Sequence, residues 1–301
     1  MNNLPGVSIK KGNVIHQVDA CEHQQTLRKL REFPRTREKI ALMSESFFGK
    51  PQIRICQQGN LVTAIREDHS REISTLINMP ESDYVQRLSL SEWNLMTSYH
   101  GDDSLVRVPV TMHDVFVQGK ITIKTGNPYM NNAWEEFYNA LRARYLGIVE
   151  AKSPIGFSFW LDDIYGERKP GKVFYKHLTG MDLEEAIRKN DASLLNWALW
   201  EAGKFLSRLI HAHLYLFDSE RLGNYLIESS SAVRVFRFLD MEKMYYLPKY
   251  SDEKKVKMLT GFIQKASHVG FLSPEKMSEF IIVCSGGSDR LASLVKKTLG
   301  L

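Results

Sequence analysis

Apolar residues recur at two different spacings along this chain of 301 residues, and the dominant spacing changes near residue 103. Earlier, HQQTLRKLREF predicts a short helix, and PQIRICQQGNLVTAIRED predicts a β-hairpin around its QQGN turn. From residue 103 onward, SLVRVPVT, DVFVQ and ITIKTG predict successive strands, with Gly119 and Lys120 in a turn between the last two. The second part of the chain therefore begins as a sheet.

A helix is expected after these strands. Trp134, Phe137, Leu141 and Tyr145 recur at helical spacing before Gly147, so the four side chains should share one apolar face. GFSFWL and KVFYKHL predict two more strands, and after residue 181 DLEEAIRKN and SLLNWALWEAGKFLSRLIHAHL predict helices. NYLIE and VRVFRFLD interrupt the helices as short strands. The pattern predicts an α+β protein with three segments: residues 1–100 as an N-terminal extension or docking module, 101–180 as a β-rich segment with one main helix, and 181–301 as a helical segment.

Composition excludes several classes of protein. Hydrophobic residues make up 43% of the chain and charged residues 25%, which is ordinary for a folded domain. The three cysteines, Cys21, Cys56 and Cys284, lie far apart and favour a reducing compartment. No apolar run is long enough for a signal peptide or a membrane span, so we expect a cytoplasmic protein. The net charge of +5 is scattered rather than clustered, which argues against nucleic-acid binding and is compatible with an anionic ligand.

Several residues of the second part occur in the order that phosphoryl transfer requires. Lys124 ends ITIK, as the phosphate-binding lysine ends a VAIK strand, and Glu136 follows on the predicted helix as its ion-pair partner, with Glu135 as the competing choice. In LSRLIHAHLYLFDSERLGNYLI, Asp218 stands where a catalytic base would accept a hydroxyl proton, and Asn224 where a metal ligand precedes a strand. A base of this kind must face the acceptor hydroxyl, which a carboxylate can deprotonate. The neutral amide oxygen of Asn224 suits a metal site, because the hard cation Mg²⁺ prefers oxygen ligands.

Asp240 extends this set. It follows the strand VRVFRFLD, where a DFG-type aspartate would bridge Mg²⁺ and the phosphates. His211 and His213 are interpreted as polar residues at a helix end, and the pair has no nearby cysteine that would complete a zinc site.

Residues from about 103 to 295 resemble the bacterial lipopolysaccharide kinase family, which includes the Kdo kinases and the core-heptose kinases. The resemblance is carried by EFYNALRARYLGIVEAKSPIGF from Glu136, by VFYKHLTGMDLEEAI, and by FLDMEKM with Lys243 as its basic residue. It implies a two-lobed protein-kinase-like fold, with 101–180 as the N-lobe and hinge and 181–301 as the C-lobe. Tyr175 and Leu178 would lie in the hinge and bind the nucleotide.

The same resemblance implies an ATP-dependent, Mg²⁺-dependent kinase that phosphorylates a Kdo or heptose hydroxyl of the lipopolysaccharide core. Such a protein would be cytoplasmic, with peripheral contact at the inner face of the inner membrane. No APE-like segment follows Asp240, which argues against a conventional protein kinase.

Three departures keep other functions open. Leu216 stands where the family has a histidine, Asp218 and Asn224 are six residues apart instead of five, and no GxGxxG precedes ITIK. The alternatives are a catalytically impaired, kinase-like binding protein and a kinase for small molecules or for protein serine and threonine.

Overall fold

A computed structural model provides the structure of the chain. The residues it describes are 7–11, 14–18, 53–67, 77, 107–110, 115–120, 133–160, 171–176, 178, 180–229, 233–241 and 243–301. The chain divides into two compact units. Unit 1 comprises Met1–Leu141 and Ser153–His177, and unit 2 comprises Arg142–Lys152 and Leu178–Leu301.

Unit 1 is rich in β-strands. Its strands are β1 (Val7–Lys11), β2 (Val14–Val18), β3 (Ile53–Gln58), β4 (Leu61–Arg66), β5 (Arg107–Val110), β6 (Val115–Lys120), β7 (Pro154–Trp160) and β8 (Gly171–Lys176). β1 and β2 form a hairpin of their own, and the other strands form an antiparallel sheet in the order β3-β4-β7-β8-β6-β5. The predicted hairpin around QQGN is present as β3 and β4.

The position of the β3–β4 hairpin in the sheet concerns the predicted segment boundary at residue 100. β4 pairs with β7 over Leu61–Ile65 opposite Trp160–Gly156, so the hairpin belongs to the same sheet as the later strands. A boundary at residue 100 would separate β4 from the strand that it pairs with. The boundaries at 100 and 180 remain predictions.

The predicted turn at Gly119 and Lys120 is wrong. Both residues belong to β6, where Gly119 lies opposite Lys172 and Lys120 opposite Gly171 of β8. β8 begins at Gly171 and thus provides pairing partners as far as the end of β6, which keeps both residues extended. A local turn signal is overridden here by pairing with a distant strand.

Helix α1 (Ala133–Tyr145) packs against the sheet of unit 1 through part of the predicted apolar face, and the side chain of Trp134 lies outside the described residues. The Phe137 ring meets the Phe157 ring of β7 edge-on, with 5.2 Å between centroids, and Leu141 is fully buried. Tyr145, which was expected on the same face, is 49% exposed. The helix ends at Tyr145, and Ile148 becomes the buried residue after the turn at Gly147, whose φ is +84°.

Unit 2 is mainly helical. Its elements are β9 (Met181–Asp182), α2 (Leu183–Lys189), α3 (Ala192–His211), β10 (Leu214–Leu216), a 3₁₀ turn (Leu222–Asn224), β11 (Tyr225–Ser229), β12 (Arg234–Phe238), β13 (Met244–Tyr246), α4 (Asp252–His268), α5 (Pro274–Cys284) and α6 (Asp289–Leu299). β12, β11 and β9 form one small sheet, and β10 pairs with β13.

The longest helix of this unit, α3, forms for reasons that are visible in its sequence. Asp191 caps its first turn by accepting a hydrogen bond from the Leu194 backbone N–H at 3.0 Å. Its buried residues recur every three or four positions, and among them Phe205 stacks on Phe238 of β12 at 5.3 Å between centroids. The apolar stripe of α3 thereby covers the β11–β12 hairpin, which leads to the candidate site.

The mixed α+β character predicted from the sequence is confirmed, with one sheet-rich unit and one mainly helical unit. Among the described helices, none has the length and apolarity that crossing a lipid bilayer would require.

Candidate active site

Two neighbouring loops of unit 2 carry the three residues that the sequence singled out for catalysis and metal binding. The first runs from β10 to β11 and contains Asp218 and Asn224. It is tightened by two consecutive turns, in which the Arg221 N–H donates to the Asp218 carbonyl at 3.1 Å and the Asn224 N–H donates to the Arg221 carbonyl at 3.0 Å. Asp218 is 5% exposed and Asn224 is 7% exposed. The turns therefore hold two polar side chains in a largely buried position.

The second loop joins β12 to β13 and contains Asp240, which is 8% exposed. Backbone hydrogen bonds tie it to the first loop at two points. The Leu239 N–H donates to the Asn224 carbonyl at 2.9 Å, and the Phe217 N–H donates to the Lys243 carbonyl at 3.1 Å. The structure therefore places the loops of Asp218, Asn224 and Asp240 side by side, although these residues span 22 positions of sequence.

Asp218 is paired with two cations. Lys243 Nζ lies 2.6 Å from Asp218 Oδ2, and Arg221 Nε lies 3.2 Å from the same oxygen. Asp218 Oδ1 has no hydrogen-bond or ion-pair partner among the described residues. One carboxylate oxygen is thus held by protein cations, while the other is left for a ligand or water.

The first loop is anchored on helix α4. Ser219 Oγ donates to the Met258 carbonyl at 2.7 Å, and the Tyr225 hydroxyl donates to the Ser219 carbonyl at 2.7 Å. Leu216, at the position where the resemblance would place a histidine, is 1% exposed, and its N–H lies 3.3 Å from Met258 Sδ. Leu216 is therefore a core residue that fixes the start of the loop by packing.

The oxygen ligands offered by Asn224 and Asp240 fit Mg²⁺. Asn224 Nδ2 is buried and has no hydrogen-bond partner among the described residues, so the orientation of the amide is not committed to other protein groups. Mg²⁺ is commonly held by one or two protein ligands together with substrate phosphates. Within the described part of the chain there is no group of three or more His, Cys, Asp or Glu residues that could hold a metal. A two-residue site of this kind does not need such a group.

Tyr215 lies in β10, three residues before Asp218, and its hydroxyl is harder to ionise than usual. Burial raises its pKa, and the negative charges of Glu220 and Asp218 raise it further. Its hydroxyl therefore stays protonated through the neutral range.

In unit 1, Glu136 and Tyr175 are joined. Both are fully buried, and the Tyr175 hydroxyl donates to Glu136 Oε1 at 2.6 Å. The sequence predicted Glu136 as a lysine partner and Tyr175 as a nucleotide-binding residue, but it did not predict this bond. The contact joins residues 39 positions apart, on α1 and at the end of β8, so no local pattern could have indicated it.

Of the other residues predicted for the nucleotide site, Leu178 is the one whose side chain the structure describes. Lys124 and the side chain of Glu135 lie outside the described residues. Leu178 is half-buried and is the first residue of unit 2 after the chain leaves unit 1 at His177. The binding roles of these residues remain predictions.

Sequence reasoning missed two further features. Lys243 was noted only as a basic residue of FLDMEKM, and its contact with Asp218 was not expected. The buried Glu150 carboxylate forms an ion pair with Arg208 of α3, while its carbonyl accepts from the Phe238 N–H at 2.9 Å. Only a weak indication of either contact is present in the sequence, since Lys243 and Glu150 are charged residues that each lie close to a short apolar run. By contrast, His211 and His213 are exposed residues at the end of α3, as expected.

Comparisons with known proteins add little. No protein-family model matches the chain, and no curated protein matches it. One solved structure, described as "WaaP in complex with acyl carrier protein", is similar over 65% of this chain and 79% of that chain, with 16% sequence identity and a TM-score of 0.48. A likeness of this size decides neither fold nor function.

Proposed function

We propose that this protein is an ATP-dependent phosphotransferase with a protein-kinase-like fold, and that its acceptor is a sugar hydroxyl of the lipopolysaccharide core, on Kdo or heptose. One observation carries the proposal. Asp218, Asn224 and Asp240, which the sequence singled out by order and spacing, lie in two loops joined by backbone hydrogen bonds. A base, an amide oxygen and a second carboxylate are the groups that phosphoryl transfer asks of a protein.

The roles follow from the surroundings of each group. Asp218, with Oδ1 uncommitted among the described residues, would accept the proton of the acceptor hydroxyl. The acceptor oxygen then bonds to the γ-phosphorus of ATP while the bond to the ADP oxygen breaks, so that the products are the phosphorylated sugar and ADP. Asn224 and Asp240 would hold Mg²⁺, which supplies neutralisation of phosphate charge when bound.

The acceptor and the place of action rest on the sequence resemblance alone. A lipopolysaccharide precursor would bring the protein to the inner face of the inner membrane. Glu136 would orient Lys124 toward the phosphates. The bond from Tyr175 holds the Glu136 carboxylate in place, because a fully buried carboxylate needs partners. Tyr175 and Leu178 remain the hinge residues proposed to meet the nucleotide.

The test compares binding with transfer. Asp218→Asn should abolish transfer of labelled phosphate from ATP to a core oligosaccharide that carries Kdo and heptose, yet keep Mg²⁺-dependent ATP binding measured by calorimetry. Asp240→Asn should lose the Mg²⁺-dependent binding as well. Asp252→Asn is the matched control, because Asp252 is also ion-paired with two cations but lies at the start of α4.

Each outcome has a definite meaning. If the parent protein binds Mg²⁺ and ATP but transfers phosphate to no sugar, peptide or small alcohol offered, the impaired, kinase-like binding protein is the correct function. If the parent protein binds no ATP in the presence of Mg²⁺, the phosphotransferase proposal is wrong.

A further inference from the structure

Lys243 connects the two loops of the candidate site in two ways. Its carbonyl accepts the hydrogen bond from the Phe217 N–H at 3.1 Å, directly before the base candidate. Its Nζ donates to Asp218 Oδ2 at 2.6 Å. A single residue of the Asp240 loop thus contacts both the backbone and the side chain of the Asp218 loop.

Lys243 and Arg221 contact the same Asp218 oxygen but differ in how exposed their side chains are. The Lys243 side chain is 21% exposed and that of Arg221 is 57% exposed. Exposed ion pairs contribute little, because water and salt screen them and because the long side chain must be ordered. A shorter and better buried pair holds its geometry more firmly. Lys243 is therefore the cation that defines where Asp218 points.

Apart from the largely exposed Arg221, no other side chain among the described residues holds the Asp218 carboxylate. Leu216 makes no polar side-chain contact with the Asp218 loop, because its side chain is apolar and packed in the core. Asp218 Oδ2 is contacted only by Lys243 and Arg221 among the described residues. The orientation of the carboxylate therefore depends on a residue that follows Asp240 by three positions.

We propose that Lys243 is a positioning residue that couples the base to the metal-binding loop. By holding Oδ2 from the Asp240 side, it keeps Oδ1 directed at the acceptor whenever the Asp240 loop is in place. This role rests on the proposed function. It predicts that loss of Lys243 impairs the transfer step more than it impairs the binding of ATP.

The experiment compares four variants with the parent protein in the transfer assay with ATP and core oligosaccharide. Lys243→Met keeps the length of the side chain and removes its charge. It should lower kcat by about 10- to 100-fold, as expected for a displaced catalytic group, with the KM for ATP unchanged within about twofold. Lys243→Arg restores a cation and should recover most of kcat.

Two variants serve as matched controls. Arg221→Met removes the exposed cation from the same oxygen and should lower kcat by less than about fivefold. Lys255→Met removes a lysine of similar exposure, 23%, that pairs with Asp252 instead, and kcat should not change. Urea unfolding of each variant without ligands checks that the fold is kept.

The results separate the two proposals. If the parent protein transfers phosphate but Lys243→Met keeps the parental kcat, or Lys243→Arg is no better than Lys243→Met, the positioning role is wrong while the phosphotransferase stands. If Lys243→Met raises the KM for ATP and leaves kcat intact, Lys243 belongs to the nucleotide site and the positioning role is again wrong. A parent protein without Mg²⁺-dependent ATP binding overturns the function on which both depend.

Discussion

Replacing Tyr225 with Phe should destabilise unit 2 by removing one buried hydrogen bond while the ring stays in place. Tyr225 is fully buried, and its hydroxyl donates to the Ser219 carbonyl at 2.7 Å. Its ring packs against Phe238 and Phe262, with centroids 5.2 and 5.3 Å away. A Phe ring keeps these contacts, so the change isolates the hydrogen bond.

The size of the effect follows from the acceptor that is left behind. Ser219 is 1% exposed, so water cannot easily reach its carbonyl when the hydroxyl is gone. A buried polar group that loses its partner costs about 1–3 kcal/mol. Burial also raises the pKa of Tyr225 well above its usual range, so the hydroxyl remains a donor at neutral pH. We expect the free energy of unfolding to fall by about 1–3 kcal/mol.

Tyr250→Phe provides the control. Tyr250 is 8% exposed and also lies in the core of unit 2, but its hydroxyl donates to Met258 Sδ at 3.5 Å. A thioether is a weak acceptor, so this variant should lose clearly less stability. Urea unfolding can be followed by the fluorescence of Trp197 and Trp200, which lie on α3.

If Tyr225→Phe loses no more stability than Tyr250→Phe, the bond to Ser219 does not hold the loop of Asp218. A fall in the free energy of unfolding accompanied by a lower kcat would indicate that the bond also serves the proposed base.

Three further variants test the packing and the electrostatics of unit 2 by urea unfolding. Gly180→Ala places a methyl group in conflict with the Ile227 carbonyl oxygen and should cost about 1–3 kcal/mol. Gly261→Ala lies inside α4, where the added Cβ would be 3.4 Å from the nearest atom outside the helix, and it should stabilise by about 0.5–1 kcal/mol. Equal effects of the two variants would contradict the structure. Burial raises the pKa of Asp182, although the hydrogen bond from the Glu185 N–H opposes the shift. The contribution of Asp182 to stability is therefore present at low pH and is lost as the pH rises through the raised pKa. Asp182→Asn, which still caps the helix, should therefore gain stability relative to the parent as the pH rises from about 4 to 7, and a constant difference between the two proteins would contradict this.

Elements whose causes are local could be predicted from the amino-acid sequence. Hydrogen bonds in a helix join residues four apart, so the apolar stripe of SLLNWALWEAGKFLSRLIHAHL was enough to place α3. Alternation and a turn sequence were enough for the β3–β4 hairpin, and the β11–β12 pair occupies the two predicted strands. The order of Asp218, Asn224 and Asp240 could be interpreted for the same reason, because each follows or precedes an element that was already recognisable.

Which of these elements contact one another depends on the packing of the whole fold. The pairing of β4 with β7, across more than 90 residues, depends on the packing of the whole sheet and not on any local preference. The Tyr175 bond to Glu136 joins β8 to α1, and the Lys243 bond to Asp218 joins two loops 25 residues apart. A buried polar group is stable only with a hydrogen-bond or ion-pair partner, and that partner is a residue that folding brings near it. Spacing along the sequence does not indicate which residue this will be.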